Sequence, residues 1–150
     1  MNRYKKFLMI PAIIVIAVSI LSGFASPDAD KIAINLLKER TNILQKSFYG
    51  QISLQEAEKR LSHIQTHPLL SQDIQSIRDW ETGELDIVRR MNIAELEPGK
   101  NYLNYRTYKA VIYWDMTGLS GSYTLKGTYH VVLKRENDQY RLSVFEPIDE

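Results

Sequence analysis

The chain has 150 residues, of which 44% are hydrophobic, 25% charged and 10% aromatic, with a formal net charge of +1 and no cysteine. That length suits one domain, and that composition excludes wholesale disorder, collagen-like repeats and a long coiled coil. Without cysteine there is no disulfide, no thiolate zinc site, no iron–sulfur ligation by the protein and no cysteine nucleophile.

The first segment stands apart. Phe7 to Ala25 runs FLMIPAIIVIAVSILSGFA, nineteen positions without a charge, behind Arg3, Lys5 and Lys6. A short basic start followed by an apolar stretch is the pattern of an export signal. As a helix this stretch reaches roughly 28 Å, close to the ~30 Å hydrocarbon core, so a retained transmembrane anchor fits as well as a cleaved signal peptide. Gly23 and Ala25 supply small residues at −3 and −1 for a cut after Ala25. Leu21-Ser22-Gly23 opens like a bacterial lipoprotein signal, but Phe24 stands where cysteine is needed, so no lipid can be attached there. The cations precede the apolar stretch, which keeps the N-terminus cytoplasmic and places residues 26–150 outside the cytoplasm. All 18 acidic residues follow Ala25 while three of the 19 basic ones precede it, so the exported part is net −2. A general nucleic-acid binder would be clearly basic, and this part is not.

Beyond the signal, Ser26 is a helix cap, Pro27 a first helical residue, and Asp28 and Asp30 suit the positive end of the helix dipole. Ile32, Leu36, Leu37, Arg40, Ile43, Leu44, Ser47 and Phe48 follow at helical steps as one stripe, and Gly50 ends the helix. Ser53 with Glu56 predicts a capping box for a second helix through Ile64, burying Leu54, Ala57, Leu61 and Ile64, with Pro68 as its stop. Residues 69–80 predict a short third helix with Leu70, Ile74 and Ile77 inward.

After Gly83 the apolar period becomes two. Leu85, Ile87, Met91 and Ile93 predict a first strand, closed by a turn at Glu97-Pro98-Gly99-Lys100. Tyr102 to Met116 forms a long second strand, and Gly118 and Gly121 flank the next reversal. The third strand places Tyr123, Leu125, Gly127, Tyr129, Val131 and Leu133 on one face and Ser122, Thr124, Lys126, Thr128, His130 and Lys134 on the other. Glu136-Asn137-Asp138 turns into a last strand whose Tyr140, Leu142 and Val144 continue the buried face. Such alternation belongs to an antiparallel sheet covered on one side. The expected fold is α+β, with two or three N-terminal helices packed on a curved antiparallel four-stranded sheet in a single domain over residues 26–150.

Helices followed by long antiparallel strands that close in a hairpin, here YHVVLKRENDQYRLSVFEPI from Tyr129 to Ile148, resemble the NTF2-like superfamily, a cone related to the cystatin-like fold. The resemblance covers roughly residues 28–148. It implies a space between the helices and the concave sheet face, in a family that includes small-molecule enzymes, binding modules and membrane-tethered bacterial assembly domains. Fold alone does not choose among these.

Residue chemistry offers little for catalysis. His63 and His67 are four apart, but Pro68 follows the second, no Glu stands between them as in HExxH, and no third ligand is near, so surface histidines are expected rather than a metal site. His130 falls on the polar face of the third strand and would be a general base only beside a carboxylate such as Asp115. Enzymes of the resembling family use Asp, Tyr or His–Asp groups inside the cone. Asp86, Asp115, Tyr105, Tyr108, Tyr113 and Tyr129 are the matching residue types here, yet none sits in a transferable motif. No phosphate loop, nucleophile elbow or Ser/Lys pattern is present. No cofactor and no metal are expected.

The aromatic residues are more informative. On the second strand Tyr105, Val111 and Tyr113 share one face, and Tyr102, Tyr108, Ile112, Trp114 and Met116 share the other. Either a curved or bulged sheet buries different faces at its two ends, or one face docks a partner, another copy or an apolar ligand. Tyr102, Tyr108, Trp114 and Met116 form the candidate interface. The expected function is an exported or membrane-anchored noncatalytic domain that contacts a protein partner or a second copy through these residues. A small-molecule-binding cone and a small-molecule enzyme are the alternatives.

Overall fold

The computed structural model describes residues 27–80 and 86–148; the apolar segment 7–25, the Ser26 cap, Gly83 and Leu85 lie outside them. Three helices, α1 (Pro27–Phe48), α2 (Leu54–Ile64) and α3 (Leu69–Arg78), precede four strands, β1 (Ile87–Tyr102), β2 (Tyr105–Gly118), β3 (Gly121–Glu136) and β4 (Gln139–Pro147). The strands form one antiparallel sheet in the order β1-β2-β3-β4, with the helices on one face. The α+β arrangement is the expected one.

Helix boundaries follow local chemistry. Gly50 adopts φ +64°, and the amides of Gly50 and Gln51 donate to the carbonyls of Ser47 and Lys46 at 3.0 and 2.8 Å, closing the end of α1. The Ser53 hydroxyl accepts the Glu56 amide at 3.1 Å and caps α2. That helix ends at Ile64, and the chain then extends so that Gln65 bridges Leu142 of β4 in parallel, with the Thr66 amide donating to the Leu142 carbonyl at 2.8 Å. The buried stripe of α1 begins with Ala29 and Ala33, not Ile32, which is 37% exposed. Alanine leaves room for Leu69 and Tyr108, which belong to the same packed cluster as Ala33 and Leu37.

Three sheet features depart from expectation. The Glu97–Lys100 turn does not form: β1 runs through Pro98 to Tyr102, and the reversal falls at Leu103-Asn104. Pro98 is tolerated because β1 is an edge strand with a register irregularity between Pro98 and Asn101. Gly99 there lies so close to β2 that a Cβ would come within 2.5 Å of the Thr107 hydroxyl oxygen. Tyr102 thus belongs to β1, not to the second strand. Further irregularities between Val88 and Arg90 and between Ile93 and Glu95 shift the alternation. Val88, Met91 and Ile93 pair with Met116, Trp114 and Ile112 on the helix-facing side, whereas Ile87 pairs with Thr117 on the outer side. On β4 an extra residue, Ser143, lies between the Leu133–Leu142 and Val132–Val144 pairs, so Phe145 and not Val144 continues the inner face.

The β2–β3 register is unbroken, and the β3–β4 turn has Asn137 and Asp138 at φ 49° and 62°, the backbone of a tight two-residue hairpin. The main core joins Ala33, Leu37 and Leu69 to Tyr108, Ala110, Ile112, Val131, Leu133 and Leu142. A smaller cluster of Ile43, Ala57 and Leu61 ties the helices together.

Candidate functional site

The helices cover the sheet unevenly. Val131 and Leu133 are fully buried on β3, yet residues 121–126 of the same strand are all exposed, although Tyr123 and Leu125 continue the inner row. Across the strands this bare end consists of the rows Val88–Met116–Tyr123 and Met91–Trp114–Leu125. Between it and the second half of α1 lies a cleft of about 270 Å³, mostly apolar, lined by Leu44 and Phe48 of the helix and by Val88, Trp114 and Met116 of the sheet.

An aromatic ladder forms the floor beside the cleft. The Trp114 indole N–H donates to the Tyr129 hydroxyl at 3.0 Å, with the two rings edge to face at 6.1 Å. Tyr129 stacks on Phe145 at 4.5 Å, and the Arg40 guanidinium lies 4.8 Å above the Phe145 ring. Gly127 allows this: a Cβ there would meet the Tyr129 hydroxyl oxygen at 2.5 Å, so the phenol lies flat only over a residue without a side chain.

Polar groups hold the ladder in place. Arg40 donates from Nε and Nη2 to the two carboxylate oxygens of Asp73, each at 2.7 Å, and the Gln65 side-chain amide donates to Asp73 Oδ2 at 2.6 Å. Planar bidentate pairing suits arginine, and the second donor helps to offset the cost of a buried carboxylate. At the outer margin the Tyr123 hydroxyl donates to Asp86, and that hydrogen bond is the main cause raising the tyrosine pKa. Phe48, at one end of the cleft, packs on Trp80 at 5.1 Å.

The four candidate interface residues do not form one exposed outer surface. Trp114 and Met116 are half-buried in the cleft, on the inner face. Tyr108 is 2% exposed and belongs to the core; burial first, then the charge of Asp30, pushes its hydroxyl pKa up. Tyr102 is 61% exposed at the opposite end of the sheet. The even positions of β2 face the helices, so the surplus aromatic face is the covered one, and only its far end is open. The alternation of β3 already contained Tyr123 and Leu125, and the stripe of α1 contained Arg40, Leu44 and Phe48. What the sequence lacked was the information that they meet.

The other candidates are dispersed. His63 contacts the Lys59 carbonyl and His67 the Ser71 hydroxyl, each at 2.6 Å, and both are exposed. His130 faces Lys109 and Glu146 across the strands, while Asp115 faces Thr124, about 20 Å further along at ~3.3 Å per residue. Asp115 accepts from the Thr124 hydroxyl at 3.0 Å and is no partner for His130. Tyr105 and Tyr113 are exposed on the outer face. Among the described residues no group of three His, Asp or Glu could hold a metal, and no helix is long and apolar enough to cross a membrane. Compared with known proteins, the chain matches no family model and no curated protein.

Proposed function

We propose that the chain is an exported or membrane-anchored noncatalytic binding domain, NTF2-like in its element order, that takes an apolar segment of a protein partner into the cleft between α1 and the bare end of the sheet. The observation that carries this reading is the open apolar cleft itself, with Trp114 and Met116 half-buried in it and Leu125, 52% exposed, directly opposite Trp114. Apolar groups gathered at a concavity and left uncovered mark an interaction site. The polar groups at the cleft already have partners, Arg40 with Asp73, Asp86 with Tyr123 and Trp114 with Tyr129, which supports binding over catalysis. Export rests on the basic start and the apolar stretch from Phe7 to Ala25.

A photoreactive amino acid in place of Leu125, in the full chain made by its own cells, should crosslink to a different polypeptide, and one in place of Lys109 on the outer face should not. Adducts of twice the chain mass would assign the cleft to a second copy. A small molecule co-purifying in the cleft, with no protein adduct, would replace this reading with a ligand-binding one. A soluble cytoplasmic pool of full-length protein on fractionation would refute export.

A further inference from the structure

The direction of α1 decides which end of the domain lies nearest the apolar segment that precedes it. Asp30, in the first turn of α1, is close enough to Tyr108 for its charge to act on that hydroxyl, and Ala33 packs in one cluster with Tyr108. At the other end of the helix, Phe48 lines the cleft with Trp114 and Met116. A helix rises about 27 Å from Asp30 to Phe48 and a strand advances about 26 Å from Tyr108 to Met116, so α1 runs alongside β2. Pro27 lies about 5 Å before Asp30 on that axis, and the two residues back to Ala25 can reach about 7 Å more. The β1–β2 turn at Leu103-Asn104 lies about 13 Å beyond Tyr108 in the same direction. The apolar sequence from Phe7 to Ala25 therefore joins the domain at the end that carries this turn, opposite the cleft.

That turn is apolar and bare. Leu103 is 93% exposed, and it stands between Tyr102 and Tyr105, both exposed, which pair directly across the hairpin. A lone exposed leucine is ordinary, but a leucine flanked by tyrosines beside a segment of membrane length has a surface to meet. Tyrosine favours the headgroup level of a bilayer, where its ring is apolar on one side and its hydroxyl stays wet. The turn's Asn104 carbonyl accepts the Arg135 amide at 2.7 Å, which supplies a partner that water would otherwise provide. The nearby cations of β3 are already paired, Lys134 with Glu136 at 2.8 Å and Arg135 with Asp138 at 3.0 Å, so the attraction is apolar and not one for anionic lipid.

We propose that the β1–β2 turn rests on the bilayer beside the retained anchor, with Leu103 entering the boundary between headgroups and acyl chains and Tyr102 and Tyr105 at headgroup level. This rests on the membrane-anchored form of the reading above and is independent of what fills the cleft, which then opens away from the bilayer. Three apolar side chains bind a membrane weakly by themselves, and tethering by the anchor makes the contact intramolecular.

The absence of cysteine makes the test site-specific. Asn104→Cys, or Ser120→Cys at the opposite β2–β3 turn, carries an environment-sensitive fluorophore in the full chain reconstituted into phosphatidylcholine vesicles. The label at 104 should emit at shorter wavelength and lose intensity to a nitroxide on the upper acyl chain, and the label at 120 should do neither. Leu103→Asp should return the label at 104 to its aqueous emission. A label at 104 that stays aqueous, one that shifts without quenching by lipid (which would mean cover by protein), or quenching that survives Leu103→Asp would each overturn the bilayer contact and leave the anchor standing. A mature chain recovered from its own cells in soluble form, beginning at Ser26, would overturn the anchor and this inference together, while the cleft reading would keep its own crosslinking test.

Discussion

At the scale of single residues, the Arg40–Asp73 pair has the most at stake. Its side chains are 14% and 7% exposed, so removing one partner strands a charge away from water. Asp73→Ala should cost about 3–5 kcal/mol in urea melts, whereas Arg40→Met with Asp73→Leu should recover most of that loss. Trp114→Ala should cost somewhat less than the ~3–5 kcal/mol of a fully buried aromatic, because one side of the indole faces the cleft. Glu136 carries a pH signature: the hydrogen bond from Lys134 is the largest cause holding its carboxyl below the usual glutamate range, desolvation opposes it, and Thr66 adds to the lowering. A depressed folded pKa contributes stability above the unfolded glutamate value, and that stability is lost as pH falls through the lower folded one. Urea midpoints should therefore drop below about pH 4.3, and Glu136→Gln should flatten the drop. Arg40 was legible as inward-facing from its place in the α1 stripe. Asp73, 33 positions away, was not legible as its partner.

At the scale of elements, hairpins and helix ends are encoded by a few adjacent residues, and strand faces are not. Gly50, Ser53, Gly118, Gly121 and Asn137-Asp138 each do their work within a turn, so the sequence locates them. The faces of β1 and β4 depend on bulges, and a bulge leaves no mark in the alternation until pairing is known. Pro98 misled for the same reason: its meaning depends on β1 being an edge. Gly121 has φ +117°, a conformation that side chains rarely adopt, so Gly121→Ala should destabilise the hairpin by about 1–3 kcal/mol in urea melts. Gly127→Ala should cost a similar amount by displacing Tyr129, and it should also shift the emission of Trp114 as the indole loses its acceptor. A normal Trp114 signal in a folded Gly127→Ala variant would argue against the ladder as described.

At the scale of the whole molecule, helix cover grades the sheet from a packed middle to a bare end. Amide hydrogen exchange should be slowest at Ala110–Ile112 and Val131–Leu133, where side chains are fully buried, and fastest in 118–125 around the β2–β3 turn, where Leu119 is 83% exposed. Slow exchange throughout 118–125 would mean that something covers that end in solution. The fold class was legible because helical and strand periods occupy separate halves of the chain. The cleft was not, because it is built from three segments that only the packing of α1 on β1 and β2 brings together.

The parallel bridge between Gln65 and Leu142 reaches beyond local packing. The link between the second and third helices completes its hydrogen bonding on the last strand, where the Ser143 hydroxyl also donates to the His67 carbonyl, 76 positions away. Translation delivers the amino end first, so Gln65 and Thr66 have no mate on β4 until nearly the entire domain has been synthesised. Until then the edge of β3 is open and the Leu142 side of the core is empty, a state prone to sticking to other unfinished chains. Closure of this molecule therefore waits on β4, and a chain truncated before Leu142 should leave Gln65 and Thr66 unpaired wherever the domain folds.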